Sequence, residues 1–415
     1  MFIYYIDPIS GNDLQDGLTP ETARKTYKAL ALCPGDTVCF KRGSFYREAL
    51  KIVSGSDDYP ITYSAYGKGA APVFCGSTDV SMEADWEEIL ENIWFCKKEI
   101  PGDVGNFVFN EGDCTAALRW SPDQLTQQGD FWDSRFGEGE QKDGATAQKI
   151  LLYSAKHPAQ FYSHIECVSY KDRVLGRLCS NIIIENLHFK NSGVHALAGE
   201  GKNVIIRNCT FENIGGCVWN RGLQIRFGNG VEFWVYGENI LVENCTFKNI
   251  YDSCVTHQGP GEKTIPTQNF ICRNNIFDTY GMAAFEYRDK LPIDSAFTGN
   301  TCRNAGCGFA MLGEELPRKS EIWPQPMGHH IFLWRIPSPT VGGHLEIKSN
   351  VFGPAPVGAA IYSIIAPEAE AQIELDQNTY TGNPVLLNRF GGVNYSDFET
   401  YRTAVQQDTH SSVQV

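Results

Sequence analysis

Ile184-Glu185-Asn186-Leu187-His188-Phe189 returns as Ile206-Arg207-Asn208-Cys209-Thr210-Phe211, then as Val242-Glu243-Asn244-Cys245-Thr246-Phe247 and Cys272-Arg273-Asn274-Asn275-Ile276-Phe277. Fainter copies follow at Asn300-Thr301-Cys302, Ser349-Asn350-Val351-Phe352 and Gln377-Asn378-Thr379-Tyr380. The shortest spacing, Asn186 to Asn208, is one coil of roughly two dozen residues, the period of a solenoid.

Each coil holds an alternating apolar strand, an Asn at a bend, one Phe or Tyr, then Gly and small polar residues. Alternation is a strand signal, and Asn and Gly mark corners with positive φ. No coil carries the helical stretch that ankyrin or tetratricopeptide repeats need, and Leu is not the periodic residue of a leucine-rich repeat. The reading is an all-β parallel β-helix, with the Asn residues hydrogen-bonding at their turn, the Phe residues filling the interior, and Cys209 stacked over Cys245 as a small apolar side chain.

The chain has 415 residues, 42% of them hydrophobic, and a formal net charge of −14. Such an acidic chain lacks the basic face that nucleic acid or an anionic membrane requires. Its 14 cysteines are spread thinly, several at equivalent repeat positions, without a C-x-x-C pair or zinc spacing, so free thiols are expected. The start, Met1-Phe2-Ile3-Tyr4-Tyr5-Ile6-Asp7, has no basic segment followed by a long apolar core. No apolar run approaches a membrane span. These features predict a cytoplasmic protein.

Residues 1–80 read as an N-terminal cap and the first coils. Phe2 to Ile6 is a strand, and Thr19-Pro20-Glu21 opens a predicted capping helix to about Leu32, with Thr19 as N-cap. Asn12-Asp13, Asp16-Gly17, Thr19-Pro20-Glu21, Pro34-Gly35-Asp36 and Gly43-Ser44-Phe45-Tyr46-Arg47-Glu48 resemble the opening of the pectate-lyase-like right-handed β-helix superfamily. That resemblance implies a right-handed solenoid and a carbohydrate-active protein, since the superfamily holds polysaccharide lyases, glycoside hydrolases, esterases and phage tailspikes.

Residues 81–178 break the repeat and gather Trp86, Trp94, Trp120 and Trp132, which predicts an inserted β-rich region. Residues 179–396 carry the main coils, with long excursions at Cys217–Phe233, Gln258–Gln268 and Met311–His330. Solenoid insertions of this kind collect on the binding face. Residues 397–415 read as a C-terminal cap, a short helix around Phe398 to Ala404, and a frayed tail from Gln406.

Aligning coils on the Asn residues gathers the candidate site. In Val231-Glu232-Phe233-Trp234 an inward Phe233 turns Glu232 and Trp234 outward, and in Ala284-Phe285-Glu286-Tyr287-Arg288 an inward Phe285 does the same for Glu286 and Arg288. Asp252 falls at the corner before Ser253-Cys254-Val255-Thr256-His257, where either Thr256 or His257 faces out. With coils about 4.8 Å apart, Glu232, Asp252 and Glu286 are expected within roughly 5–10 Å of one another, the range of glycosidase carboxylate pairs. Trp234 offers a stacking plate for a sugar, and Arg226, His257, Arg288 and Arg119 offer groups for hydroxyls or a carboxylate. The pair His329-His330 does not suggest a metal, because neighbours on a strand point to opposite faces.

Three functions compete. The first is a glycoside hydrolase acting on oligosaccharides from a complex polysaccharide, working without a cofactor. The second is a polysaccharide lyase, which needs a uronate, a cation such as Ca²⁺, and a base such as Arg288 or His257. No run of Asp crosses adjacent coils to hold such a cation. The third is a non-catalytic carbohydrate-binding or tail-type protein, a class that usually trimerises.

Overall fold

The structure is a computed structural model that describes residues 1–138, 147–170, 174–309, 326–356, 359, 361–364, 367–382, 388–390 and 393–414. It is a right-handed parallel β-helix whose coils present three faces. One face runs through Val174–Leu178, His195–Gly199, Val231–Trp234, Ser253–Gln258, Ala283–Arg288 and His329–Trp334. A second runs from Ile3–Ile6 to Ile373–Asp376, and a third from Phe45–Tyr46 to Ser412–Gln414. The strands His195–Arg207 and Val231–Glu243 bend across a corner and serve two faces each, which joins the first two into one sheet of seventeen strands.

The repeated phrase makes the corner between the second and third faces. Asn186, Asn208, Asn244 and Asn274 all stand at positive φ (61°, 53°, 53° and 56°), a conformation Asn tolerates and β-branched residues do not. Three residues on, Phe189, Phe211, Phe247 and Phe277 stack inside with centroids 5.5, 4.6 and 5.0 Å apart. The side-chain amide ladders lie elsewhere, along Asn181–Asn203–Asn239–Asn269, Asn191–Asn213–Asn249 and Asn275–Asn300–Asn350–Asn378. Cys209 and Cys245 are buried among the stacked aromatics, and all fourteen cysteines are free thiols.

Both ends differ from the sequence reading. The N-terminal capping helix is a single 3-10 turn, Pro20–Thr22, with Thr19 as its cap. The chain then turns extended because Arg24 is needed at the edge of the first strand, where its N–H donates to Tyr5 and its carbonyl accepts from Asp7. At the other end a helix, Phe398–Val405, packs Tyr401 against the last coil as expected. The tail beyond it is not frayed. Ser412–Gln414 adds a parallel strand beside Thr379–Thr381, and buried Asp408 accepts from Tyr380, Tyr401 and Asn378.

Between Val73–Cys75 and Val174–Leu178 the chain builds two small sheets. Ser77–Asp79, Val104–Phe109, Cys114–Thr115 and Ile165–Ser169 form one; Trp86–Leu90, Ile93–Cys96, Ala117–Leu118, Asp130–Asp133 and Ile150–Tyr153 form the other. Their shared core holds Trp86, Phe107 and Phe131, with Trp94, Trp120 and Trp132 packed on it. Val218 of the solenoid belongs to the same core, so this region braces the hairpin Cys217–Phe227 on the first face. Among the described residues no helix is long and apolar enough to cross a membrane.

Candidate active site

The parallel register of the first face sets its outward side chains in columns. Arg177, Ala198, Glu232, Thr256, Glu286 and Phe332 are successive members of one column. Trp234, Gln258, Arg288 and Trp334 form a second, two residues along the strands. Parallel strands fix this alignment because a slip of one residue would turn every one of these side chains inward.

Glu232 is 7% exposed; its Oε2 accepts from Asn229 Nδ2 at 2.6 Å, and His195 Nδ1 stands 3.7 Å away. His195 Nδ1 accepts the Asn229 backbone N–H at 3.1 Å, which leaves the ring proton on Nε2. Asp252, 8% exposed, closes the corner before its strand, where Oδ2 accepts the Gly228 N–H at 3.2 Å. Gly228 has φ 141°, and a Cβ there would meet Gly215 Cα at 2.2 Å, so only glycine lets the hairpin base pass.

Glu286 is fully buried. Trp334 Nε1 donates to its Oε1 at 2.8 Å, while Ser253 Oγ, Thr256 Oγ1 and Gln258 Nε2 donate to Oε2 at 2.7, 3.0 and 3.2 Å. Burial pushes this carboxyl above the usual carboxylate range against the pull of those donors. The alternation correctly turns Glu232 and Glu286 outward, but neither is at the open surface. The hairpin Cys217–Phe227 and Trp334 cover that side of the sheet.

These residues line one cavity of about 310 Å³, walled by Trp219, Trp234, Gln258, Met282, Met327 and Trp334. Arg288 lies between two indoles, its guanidinium carbon 5.8 Å from the ring of Trp234 and 5.8 Å from that of Trp334. It also donates to Gly259 O at 3.2 Å and sits 3.6 Å from Asp289 Oδ2. Arg335 joins the same wall, 3.5 Å from Asp289 Oδ1.

Three predicted substrate contacts have other work. His257 points into the solenoid, against Tyr287 and with Nε2 3.3 Å from Val235 O; Thr256 is the outward member of that pair. Burial lowers its pKa to about 4, so it is neutral. Arg226 lines the cavity but is 1% exposed, spent as a strut that donates to Gly216 O at 2.6 Å and Gly105 O at 2.7 Å. Arg119 lies in the inserted sheets, paired with Asp130 at 2.9 Å, and is not among the cavity's lining residues. His329 and His330 do diverge: His330 reaches inward to Tyr280 and Gly353, while His329 packs on Phe332. Most of the Met311–His330 excursion, residues 311–325, lies outside the described residues.

Sequence reasoning missed His195, Asn229, Trp219 and Trp334. Trp334 was findable, because it follows Trp234, Gln258 and Arg288 in register. His195 opens its strand and Asn229 lies two residues before its own, at a corner that alternation does not reach. Among the described residues, the ligating side chains close enough to share a metal ion are His344, Glu346 and Glu374, away from this cavity. Lys348 Nζ already bonds both of those glutamates, at 3.3 and 2.6 Å.

Residues 167–315 match the family model described as a right-handed β-helix region. No curated protein sequence matches the chain. Among solved structures, the complex of XylC with xylose superposes with a TM-score of 0.54 at 13% identity, covering 93% of this chain and 62% of that one. This chain therefore spans less than two thirds of that protein's length, and the likeness shows the fold. Two further solved structures superpose more loosely. A glycoside hydrolase gives a TM-score of 0.45 at 11% identity, with 100% and 96% of the two chains covered. The GH136 lacto-N-biosidase of Eubacterium ramulus gives 0.36 at 14%, with 100% and 67% covered.

Proposed function

We propose that this chain is a glycoside hydrolase acting on oligosaccharides derived from a complex polysaccharide, with Glu232 and Asp252 as its carboxylate pair. One observation supports this reading above others: acids and indoles converge on a single cavity, Glu232 and Asp252 on its wall with Trp234 and Trp334 beside them. Glycoside cleavage needs one carboxyl to protonate the leaving oxygen and a second to attack the anomeric carbon or activate water. Each acid here accepts an N–H, Glu232 from Asn229 and Asp252 from Gly228, which fixes its direction. Glu286, with both oxygens occupied, is assigned a positioning role: it anchors Gln258 and Trp334 as walls. Trp234 supplies the apolar plate on which a sugar ring stacks, and Arg288 the donors for its hydroxyls.

The reaction as drawn asks for no cofactor, and free thiols throughout fit a reducing, cytoplasmic setting. A panel of chromogenic glycosides tests the proposal, with turnover expected on at least one and unchanged by EDTA.

A polysaccharide lyase is the second reading, favoured by Arg288 and Arg335 facing one cavity, where a uronate carboxylate would be welcome. With His257 turned inside, Arg288 is the base left to it. Uronate polymers in place of chromogenic glycosides, read by the ultraviolet absorbance of unsaturated products and abolished by EDTA, would select that reading.

A further inference from the structure

Glu232 and Trp234 line not one chamber but two. On the other side of them lies an open cavity of about 480 Å³, walled by Arg177, Cys179, Ala198, Gly199 and Glu200, with His195 shared between the chambers. The column explains why the space exists. Counting from Glu232 toward the C-terminus, the outward side chains are Thr256 and then Glu286; counting the other way they are Ala198 and then Arg177. Arg177 and Glu286 each stand two strand spacings from Glu232, about 10 Å on either side. The step between them on the N-terminal side is a single methyl group, so a chamber opens over Ala198 and Gly199.

The two chambers differ in finish. The Glu286 chamber is walled by indoles and holds its polar groups in a dense hydrogen-bond network. The Arg177 chamber has exposed charged groups, Arg177 and Glu200, and among the described residues no ion pair or hydrogen bond ties Arg177 down. This exposed guanidinium, unpaired among the described residues, stands at the end of a small-residue floor, one sugar's reach from a proposed proton donor, where its fork of donors suits sugar hydroxyls.

We infer that the Arg177 chamber is a second sugar subsite, which takes the leaving-group residue of an oligosaccharide while the terminal sugar fills the indole-walled chamber. The substrate then lies along the solenoid axis with its scissile bond over Glu232. Arg177 and Glu200 hold the hydroxyls of the leaving sugar, and Trp234 stands at the junction. This assignment rests on the hydrolase reading and adds to it a minimum length of two sugars, one on each side of Glu232.

The test compares two substrates of the sugar that the wild-type chain cleaves best: its disaccharide, and its glycosyl fluoride, whose leaving group needs no chamber. Ala198→Leu fills the floor and Arg177→Ala removes the recognition group. Both are expected to lower kcat/KM on the disaccharide at least tenfold, with Arg177→Ala acting mainly through KM, and to leave the fluoride within about threefold, since the bond to fluoride breaks without the second subsite. If both variants lose disaccharide and fluoride activity in proportion, or neither loses any, the subsite is wrong while the hydrolase reading stands. A wild-type chain that cleaves neither substrate removes the hydrolase reading and the subsite together.

Discussion

Asn229 joins Glu232 to Ser253: its Nδ2 donates to Glu232 Oε2 at 2.6 Å, and its Oδ1 accepts the Ser253 backbone N–H at 2.9 Å. Ser253 Oγ in turn donates to Glu286 at 2.7 Å, so the two outward glutamates are linked through side chains of the intervening coils. Asn229→Ala breaks both bonds and leaves a buried carboxylate oxygen and a buried N–H unpaired, a loss of about 1–3 kcal/mol. Asn229→Asp keeps an acceptor for Ser253 but sets a second negative charge beside Glu232. Its acid then holds its proton to higher pH, and the pH–rate profile of turnover is expected to move alkaline relative to wild type. An unchanged profile would show that Glu232 does not titrate in the reaction.

Glu232→Gln and Asp252→Asn are expected to lower turnover by about 10²–10⁴, the scale of a lost positioned proton donor or nucleophile. Both acids are buried, so each amide is also expected to change stability by about 1–3 kcal/mol, more than a surface isostere would. Near-normal turnover in both variants ends the assignment. If the wild-type chain has no turnover and the variants still bind oligosaccharide by calorimetry, the protein is a carbohydrate-binding β-helix.

The fold was legible because the repeat writes the same constraint many times. Each Asn at positive φ fixes a corner and each Phe three residues later fixes an interior, so one alignment of four phrases sets the register of the whole solenoid. The same register brought Glu232, Glu286, Trp234 and Arg288 together. What escaped lay off the ladder. Thr256 and His257 point to opposite faces, and their order hung on whether Cys254 or Val255, both apolar, was the inward residue of that strand. His195 and Asn229 work from corners, and Arg226 was bound by Gly105, whose strand arrives from a remote inserted sheet. The predicted first helix failed because its cap was real but one turn long: backbone pairing of Arg24 with the first strand outweighed helix propensity.

Opposed groups set the pH dependence of stability. Burial lowers the pKa of His257 and of His330 to about 4, below the usual 6.5, so the folded state binds fewer protons and their contribution is lost as pH falls from 6.5 toward 4. Burial, reinforced by Asp133, raises Asp103 to about 7, and burial raises Asp133 to about 6, from 3.8. There the folded state holds more protons, and stability declines as pH rises from 3.8 toward 7. Asp103 donates no anchor that Asn cannot replace, since its Oδ2 accepts the Val218 N–H at 3.1 Å. Asp103→Asn is therefore expected to gain thermal midpoint over wild type progressively between pH 4 and 7. A difference that is flat with pH would mean Asp103 is ionised in the folded protein throughout.

Val235 stands at φ 73°, directly after Trp234, and its register partners two coils and three coils on, Asp289 and Arg335, have φ 76° and 53°. A β-branched residue in the left-handed region is strained, by about 1–3 kcal/mol, and persists only where its surroundings hold it. Here its carbonyl accepts the Ile265 N–H at 2.9 Å and lies 3.3 Å from His257 Nε2, so the bend that carries the strand across the corner also aims Trp234 over Arg288. Asn adopts this conformation readily. Val235→Asn is expected to keep the bend and to stabilise the fold by about 1 kcal/mol, read as a rise in thermal midpoint. Turnover on the wild-type substrate should stay within a few-fold, because the indole keeps its direction. A fall in midpoint would show that the valine side chain contributes more by packing than its backbone loses in strain.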